Sequence, residues 1–357
     1  MATERVEPDL LAPAELDAYL ARGWYRMGHA LITTDLLAWR GELRTTIWTR
    51  LDVRGHRLPR SLRKLMASNG RRFEVRVGRL VMDDAREQLY ARYLEKVGGE
   101  RVASLMDVVG GEPGLSLFDT REISVWSEER LVAFSWFDLG EESVQSLIGV
   151  YDPAFSKHSL GLYTMLLEIR QTEVLGRRFH YAGYVLAEPS SMDYKLQVGG
   201  LQFLDPATSD WLAAPPFPPA RSPAEVLRST LAAAEGGLQR AGVEVVRYTN
   251  PALQIRGLLE KAPQCPPHPL LLVCGMSAHT RVVLVVWEPR RQAYALLRAR
   301  PVQAVLHRVG DSEETPPLEL RLFFVEAAIG ESPDVTELVQ LTRAHLAWFA
   351  IADAPGG

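Results

Sequence analysis

Apolar positions recur with two different periods along this chain, and the alternation between them sets out the elements. "PAELDAYLA" reads as a short first helix from Pro13 to Ala21. "RLPRSLRKLMASNG" reads as a second: Pro59 suits a first helical position, Leu62, Leu65 and Met66 share a face, and Asn69-Gly70 is the expected stop. "DDAREQLYARYLEKVGG" is a third, capped by Asp83 or Asp84 and ended by Gly98-Gly99, with Leu89, Tyr90, Tyr93, Leu94 and Val97 as its stripe. The period then shortens to two. "REISVW" and "LVAFSWFDL" flank the polar turn "SEER" as a hairpin, and "SVQSLIGVY" follows as a third strand. Helical spacing returns over "SLGLYTMLLEI" and runs to about Leu175, before Gly176. "FHYAGYVLA" is the next strand, then "SSMDYKLQVGG" as a helix or turn, then a short strand at "LQFLD".

Three antiparallel strands, a helix, a strand, a turn and a strand make an α+β layout, in the order of an acetyltransferase-like (GNAT-type) domain. "WLAAPPFPPARSPAE" is proline-dense and reads as a linker. Beyond it the pattern restarts. A helix over Ala224 to Ala241 is followed by a strand at "VEVVRY" and a helix at "PALQIRGLLEKA". Strands at "LLLVCG", "TRVVLVVW", "AYALLRA" and "LELRLFFVEAA" and a terminal helix at "DVTELVQLTRAHLAWFAIA" complete a C-terminal α/β extension. The expected division is an N-terminal basic region over 1–110, a core over 111–212, a linker over 213–224 and a C-terminal domain over 225–357.

Composition narrows the picture little: 47% hydrophobic and 24% charged residues are ordinary for a soluble globular chain. The apolar runs "HPLLLVCG" and "VVLVVW" are too short to span a bilayer, and "MATERVEPDLLAP" has no signal-peptide core. The chain reads as cytoplasmic, with no membrane partner. Two cysteines, Cys265 and Cys274, leave no disulfide framework. Charge changes the picture more. The net charge is −4, yet between Arg50 and Arg79 ten Arg and Lys face only Asp52 and Glu74. That local +8 is either a footprint for a polyanion or a solvated face.

Candidate chemistry lies in "YDPAFSKHSLGLYTMLLEI". A helix opening at Ser159-Leu160-Gly161 just after Lys157 and His158 presents free N–H groups and positive charge. One reading is an anion site with a glycine for close approach; the other is a capped core helix with a small residue at a tight crossing. Tyr184, Tyr194 and Lys195 are polar groups able to line a site, or sheet-packing tyrosines and a surface lysine. Cys265, His268, Cys274 and His279 have no common zinc spacing, so no metal is expected. "GGEPG" near Gly110 lacks the Lys and helix of a phosphate loop.

From Tyr19 to Trp211 the chain resembles the aminoacyl-tRNA–protein transferases, the arginyl and leucyl transferases of the N-degron pathway. The matching stretches occur in order. They are "GWYRMGHALI"; the basic helix with Arg60, Ser61, Arg63, Lys64 and Asn69; "LYARYL" with Tyr90 and Tyr93; Asp152, Pro153, Ser159, Leu160, Gly161 and Tyr163; and Tyr181, Gly183, Tyr184, Met192, Tyr194 and Lys195. The family's cysteine cluster has no counterpart, since "ITTDLLAWRGELRTTIW" contains none. The resemblance implies transfer of Arg or Leu from aminoacyl-tRNA to the N-terminal amine of a protein, without a further cofactor and without DNA as partner. Arg60, Ser61, Arg63, Lys64, Asn69, Tyr90, Asp152, Ser159, Gly161 and Tyr163 would bind substrate, and Tyr184, Tyr194 and Lys195 would act at the reacting amine. Two rivals stand beside it: a coenzyme-A-dependent acyltransferase of the same fold, and a non-catalytic relative that binds RNA or protein.

Overall fold

The structure, a computed structural model, describes residues 4–39, 42–97, 104–111, 116–250, 262–276, 280–289, 291–306 and 318–352. Residues 251–261 of the helix expected over 251–262, the Gly98-Gly99 stop, residues 112–114 of "GGEPG" and His279 lie outside the described residues. The chain divides into two compact units, one ending at Ser222 and the other starting at Pro223.

The first unit is a mixed α+β layer structure. Its strands are β1 (Glu4–Val6), β2 (Tyr25–Met27), β3 (Ala30–Thr33), β4 (Leu36–Trp39), β5 (Glu42–Asp52), β6 (Glu74–Arg79), β7 (Thr120–Ser127), β8 (Arg130–Leu139), β9 (Ser143–Tyr151), β10 (Phe179–Leu186), β11 (Leu201–Leu204) and β12 (Trp211–Leu212). Its helices are α1 (Pro13–Ala21), α2 (Arg60–Arg72), α3 (Asp84–Val97), α4 (Leu105–Val109) and α5 (Leu160–Val174). Nine strands form one sheet in the order β12-β11-β5-β10-β9-β8-β7-β6, with β4 hydrogen-bonded to β5; β1, β3 and β2 form a small separate sheet. Because β5 lies between β10 and β11, the residues before and after position 110 share that sheet.

Alternation along β7 sorts the two faces. Ile123 and Val125 join clusters with Leu160, Tyr163 and Leu167 of α5. Glu122 points the other way, where Arg86 of α3 grips it at 2.5 and 2.6 Å and Trp136 Nε1 donates to it at 3.0 Å. α2 lies on the α5 side, burying Leu62 against Met165, Leu166 and Val185. α1 lies on the opposite side, with Leu16 and Leu20 against Tyr181.

The helix ends depart from their sequence signals in two places. Pro59 is the N-cap of α2, outside the first turn, and the helix runs past Asn69-Gly70 to Arg72. Asn69 is buried, and its Nδ2 donates to the His158 carbonyl at 2.9 Å. Its amide is thus spent on a tertiary contact and does not compete for the local backbone. Asp83 is the cap of α3: its Oδ1 accepts from the Arg86 N–H at 3.0 Å.

The second unit is a five-stranded antiparallel meander of β13 (Val245–Thr249), β14 (Leu270–Cys274), β15 (Val282–Glu288), β16 (Ala293–Leu306) and β17 (Leu318–Ser332). α6 (Pro223–Arg240) and α7 (Val335–Ala352) accompany it, with Leu227, Leu231, Ala234, Leu238 and Leu338 buried. No described helix is long and apolar enough to cross a membrane.

Candidate functional site

α5 connects β9 to β10, and these two strands run parallel. They are paired only where Phe179–Tyr181 face Ser143–Gln145. Beyond that point β9 continues to Tyr151 and β10 to Leu186, β10 now paired only with β5. A fork therefore opens at the carboxyl ends of two parallel strands, at the same end of the sheet as the start of α5. Open sheets place ligands at such points, because loops and helix N-termini converge there while the strand edges lack partners.

The fork's edges are occupied from within. On β9 the Tyr25 hydroxyl faces the carbonyls of Leu147 at 2.7 Å and Ser146 at 3.0 Å. On β10 Lys195 Nζ donates to the carbonyls of Ala182 at 2.8 Å and Tyr184 at 2.9 Å. Gly183 sits between them with φ +81°, and a β-carbon there would lie 3.5 Å from the Tyr25 ring and 3.7 Å from Lys195 Nζ. The aromatic wall is Tyr25, Trp48 and Tyr184, with centroids 5.8 Å apart for Tyr25–Trp48 and 5.4 Å for Trp48–Tyr184. Lys195 Nζ lies 5.7 Å from the Tyr184 ring centroid. Burial first, then the neighbouring Tyr184, Asp138 and Glu168, push the Tyr25 hydroxyl far above the usual phenol range, so it stays protonated and donates.

Tyr25 is held there by its neighbour. Arg26 is fully buried on β2. It donates to the Gly28 and Val109 carbonyls, to Thr120 Oγ1 and to Asp138 Oδ1, each at 2.8 Å. Its guanidinium lies 4.1 Å from the Phe118 ring centroid. Neither Tyr25 nor Trp48 was expected from the sequence. The short strand between Gly23 and Gly28 carries no periodicity that marks a buried hydroxyl.

The expected residues fall into three groups. Tyr184 and Lys195 meet in the fork, and Tyr194 stands exposed beside Lys195 in the 3-10 turn Asp193–Val198. Arg60, Ser61, Arg63 and Lys64 are exposed on α2, whose N-cap Pro59 approaches Gly199, just past that turn. Asn69, Tyr90, Asp152 and Tyr163 are internal, while Ser159 is exposed and Gly161 half-buried at the start of α5. Tyr90 and Tyr163 are 1% exposed, in separate core clusters. Asp152 is buried, accepts from the Ala154 N–H at 2.9 Å and pairs with Arg130 and, at 3.7 Å, Arg92.

The opening of α5 is neither a side-chain cap nor a clear approach for a ligand at Gly161. Ser159 is in the left-handed region (φ 51°, ψ 45°) with no side-chain cap bond; it closes the 3-10 turn Pro153–His158 and its carbonyl receives the Tyr163 N–H at 2.9 Å. A β-carbon at Gly161 would meet the Tyr151 ring at 3.2 Å, so the glycine accommodates a tight crossing. His158 packs on Phe73 at 5.3 Å between centroids. Partial burial, then Arg72 and Lys157, lower its pKa, so it is neutral at pH 7.

Elsewhere, Cys265 and Cys274 are buried, and burial pushes the Cys274 thiol up to about 12. His268 pairs with Glu288 at 2.8 Å. Among the described residues no three His, Cys, Asp or Glu are grouped to hold a metal.

Residues 79–205, which include β9, α5, β10 and Lys195 but neither Tyr25 nor Trp48, match the family profile described as "Arginine-tRNA-protein transferase, C terminus". The match supports the aminoacyl-tRNA–protein transferase family for this segment. The chain also resembles curated relatives. An aspartate/glutamate leucyltransferase of Acinetobacter baumannii is 28% identical over 118 residues, covering 32% of this chain and 44% of the relative. One from Campylobacter jejuni is 32% identical over 74 residues, covering 21% and 31%. The chain thus spans less than half the length of these relatives. Among solved structures, L-PGS from Bacillus licheniformis overlaps at TM-score 0.32 and 11% identity, covering 43% of this chain and 52% of that one. A GCN5-related glucosamine N-acetyltransferase region of a fungal β-N-acetylglucosaminidase overlaps at TM-score 0.28 and 12% identity, covering 56% and 22%. Likenesses this slight carry no weight for the fold.

Proposed function

We propose that the chain transfers an aminoacyl group from aminoacyl-tRNA to the N-terminal amine of a protein or peptide, in the cytoplasm, on a GNAT-type arrangement of strands and helices. The observation that carries the reading is the fork, where Tyr25, Tyr184 and Lys195 surround a strand end beside the exposed cations of α2. The amine nitrogen attacks the ester carbonyl, the C–N bond forms, the C–O bond to the terminal ribose breaks, and the ribose hydroxyl leaves with the proton the amine gives up. An α-amine with a pKa of about 7.7–8.0 is partly neutral at pH 7.5, so positioning and an electrophilic neighbour suffice. Lys195 supplies the positive charge and Tyr184 the wall, while Tyr194, exposed beside them, meets the incoming amine. Arg60, Arg63 and Lys64 hold phosphate, with Ser61 on the same helix. Tyr90, Asn69, Asp152 and Tyr163 support the site by packing and by fixing the start of α5.

A coenzyme-A-dependent acyltransferase is the second reading, and the fork's edges disfavour it. An amide-bearing cofactor arm entering between β9 and β10 needs carbonyl acceptors, and four of these already face Tyr25 and Lys195. The test is direct. Full-length protein is mixed with each of leucyl-tRNA and arginyl-tRNA and with peptides of varied N-terminus, and the peptide mass is read. A gain of one amino-acid residue is expected. No product with any charged tRNA, together with thermal stabilisation by coenzyme A but not by tRNA, refutes the proposal in favour of its rival.

A further inference from the structure

β10 ends in a cleft. The two residues after Tyr184, Val185 and Leu186, form one wall of a space of about 530 Å3. Ile47, Leu196, Phe203 and Phe217 complete it, with the proline-rich stretch 215–219 as its outer side. Leu196 directly follows Lys195, so one 3-10 turn sends Lys195 into the fork and Leu196 into the cleft. Val185 and its cross-strand partner Ile47 face the side of the sheet opposite Tyr184 and Trp48, and the Tyr184 carbonyl, in the plane of the strand, lies about 3.3 Å along the strand from Val185.

Two carboxylates, Glu188 and Asp193, also line the cleft, and an apolar wall with carboxylates is what a guanidinium needs. Their engagements decide against it. Both Asp193 oxygens are used by Ser190, one accepting from its N–H at 3.1 Å and the other from its Oγ at 3.1 Å. Glu188 accepts from Ser222 Oγ at 3.5 Å and has the Arg44 guanidinium 4.0 Å away. A bidentate Arg would compete with Arg44 for Glu188 and break the Ser190 turn to reach Asp193. An aliphatic side chain displaces water from apolar wall at no such cost.

We infer that this cleft receives the side chain of the transferred amino acid and selects an aliphatic one over a guanidinium. The inference rests on the aminoacyl-transfer reading and adds its specificity. Leu196 is 43% exposed and stands outside the core that Ile47, Val185 and Phe203 share, whereas Phe217 is partly buried and packs against that core, so the melting temperature is read for each variant.

The experiment sets leucyl-, phenylalanyl- and arginyl-tRNA in competition for one acceptor peptide, with wild type, Leu196→Trp and Phe217→Ala, while melting temperature and tRNA retention on a filter are followed in parallel. Leucyl transfer is expected to exceed arginyl by tenfold or more. Leu196→Trp should lower leucyl transfer at least tenfold with melting and tRNA retention unchanged. Phe217→Ala should raise phenylalanyl relative to leucyl transfer. Arginyl preferred by wild type, or a ranking that neither variant moves, overturns the pocket while leaving aminoacyl transfer standing. No transfer by wild type from any of the three overturns both.

Discussion

Replacing Arg26 with Met tests whether the fork is held by one buried cation. The side chain is fully buried; three bonds of 2.8 Å tie β2 to α4, β7 and β8, and a fourth of 2.8 Å goes to the nearby Gly28 carbonyl. Met fills much of the volume but leaves Asp138 buried beside Thr120 with no counter-charge, and the Gly28 and Val109 carbonyls with no side-chain donor. Breaking a buried pair from one side costs about 3–5 kcal/mol. Each orphaned carbonyl adds about 1–3 kcal/mol where water cannot enter. For a unit of this size 1 kcal/mol is worth about 2–4 °C, so the first term alone lowers the melting of the N-terminal unit by about 6–20 °C. The control is the double variant Arg26→Met with Asp138→Leu, which removes both charges. Apolar replacement of a whole buried pair is often neutral, so it should recover most of the loss. Calorimetry or circular dichroism on the full chain reads both. A single variant within about 2 °C of wild type, or a double variant no more stable than the single, refutes the assignment of the cost to an unpaired buried charge.

Other expectations are quicker to check. Arg60→Ala with Arg63→Ala should weaken tRNA binding and flatten the log–log salt slope by about one unit per lost phosphate contact; an unchanged slope makes α2 a solvated face. Gly161→Ala should cost about 1–3 kcal/mol by pressing Tyr151, where an open helical position would have been neutral or stabilised; urea denaturation gives the sign. His158 has a lowered pKa and is neutral at pH 7, and a nearby phosphate favours its charged form. tRNA affinity should therefore rise as the pH falls from 7 into the more acid range where His158 takes up its proton, and His158→Gln should abolish that rise if the phosphate path passes there.

The order of elements was legible because each strand or helix of the core carries its own period. The hairpin of β7 and β8, the strand β9, α5 and β10 all follow from alternation or helical spacing. β6 was not expected: in "EVRVGR" only Val75 is partly buried, so no alternating burial pattern is imprinted on it. The candidate site was half readable. Tyr184 and Lys195 were found through their resemblance, but their partner Tyr25 lies about 160 positions away and meets them only through topology. Residue type also misled. Ser159 and Gly161 have the composition of an anion-binding turn, yet the serine leaves its cap unmade and the glycine yields space to a ring. Such distinctions depend on a neighbouring strand, which no local window contains.

The place of β5 in the sheet has a consequence for how the chain is made. This strand needs β10 on one side and β11 on the other, so Thr49 cannot reach the Gly183 carbonyl until 134 further residues have been synthesised. At about 5–20 residues per second that is a wait of about 7–27 s on the ribosome. During it the β4–β5 hairpin has an exposed apolar face and an unpaired edge, the state in which strands find the wrong partners. Nascent chains halted before β10 emerges should depend on a holding chaperone, and those halted after β11 should not.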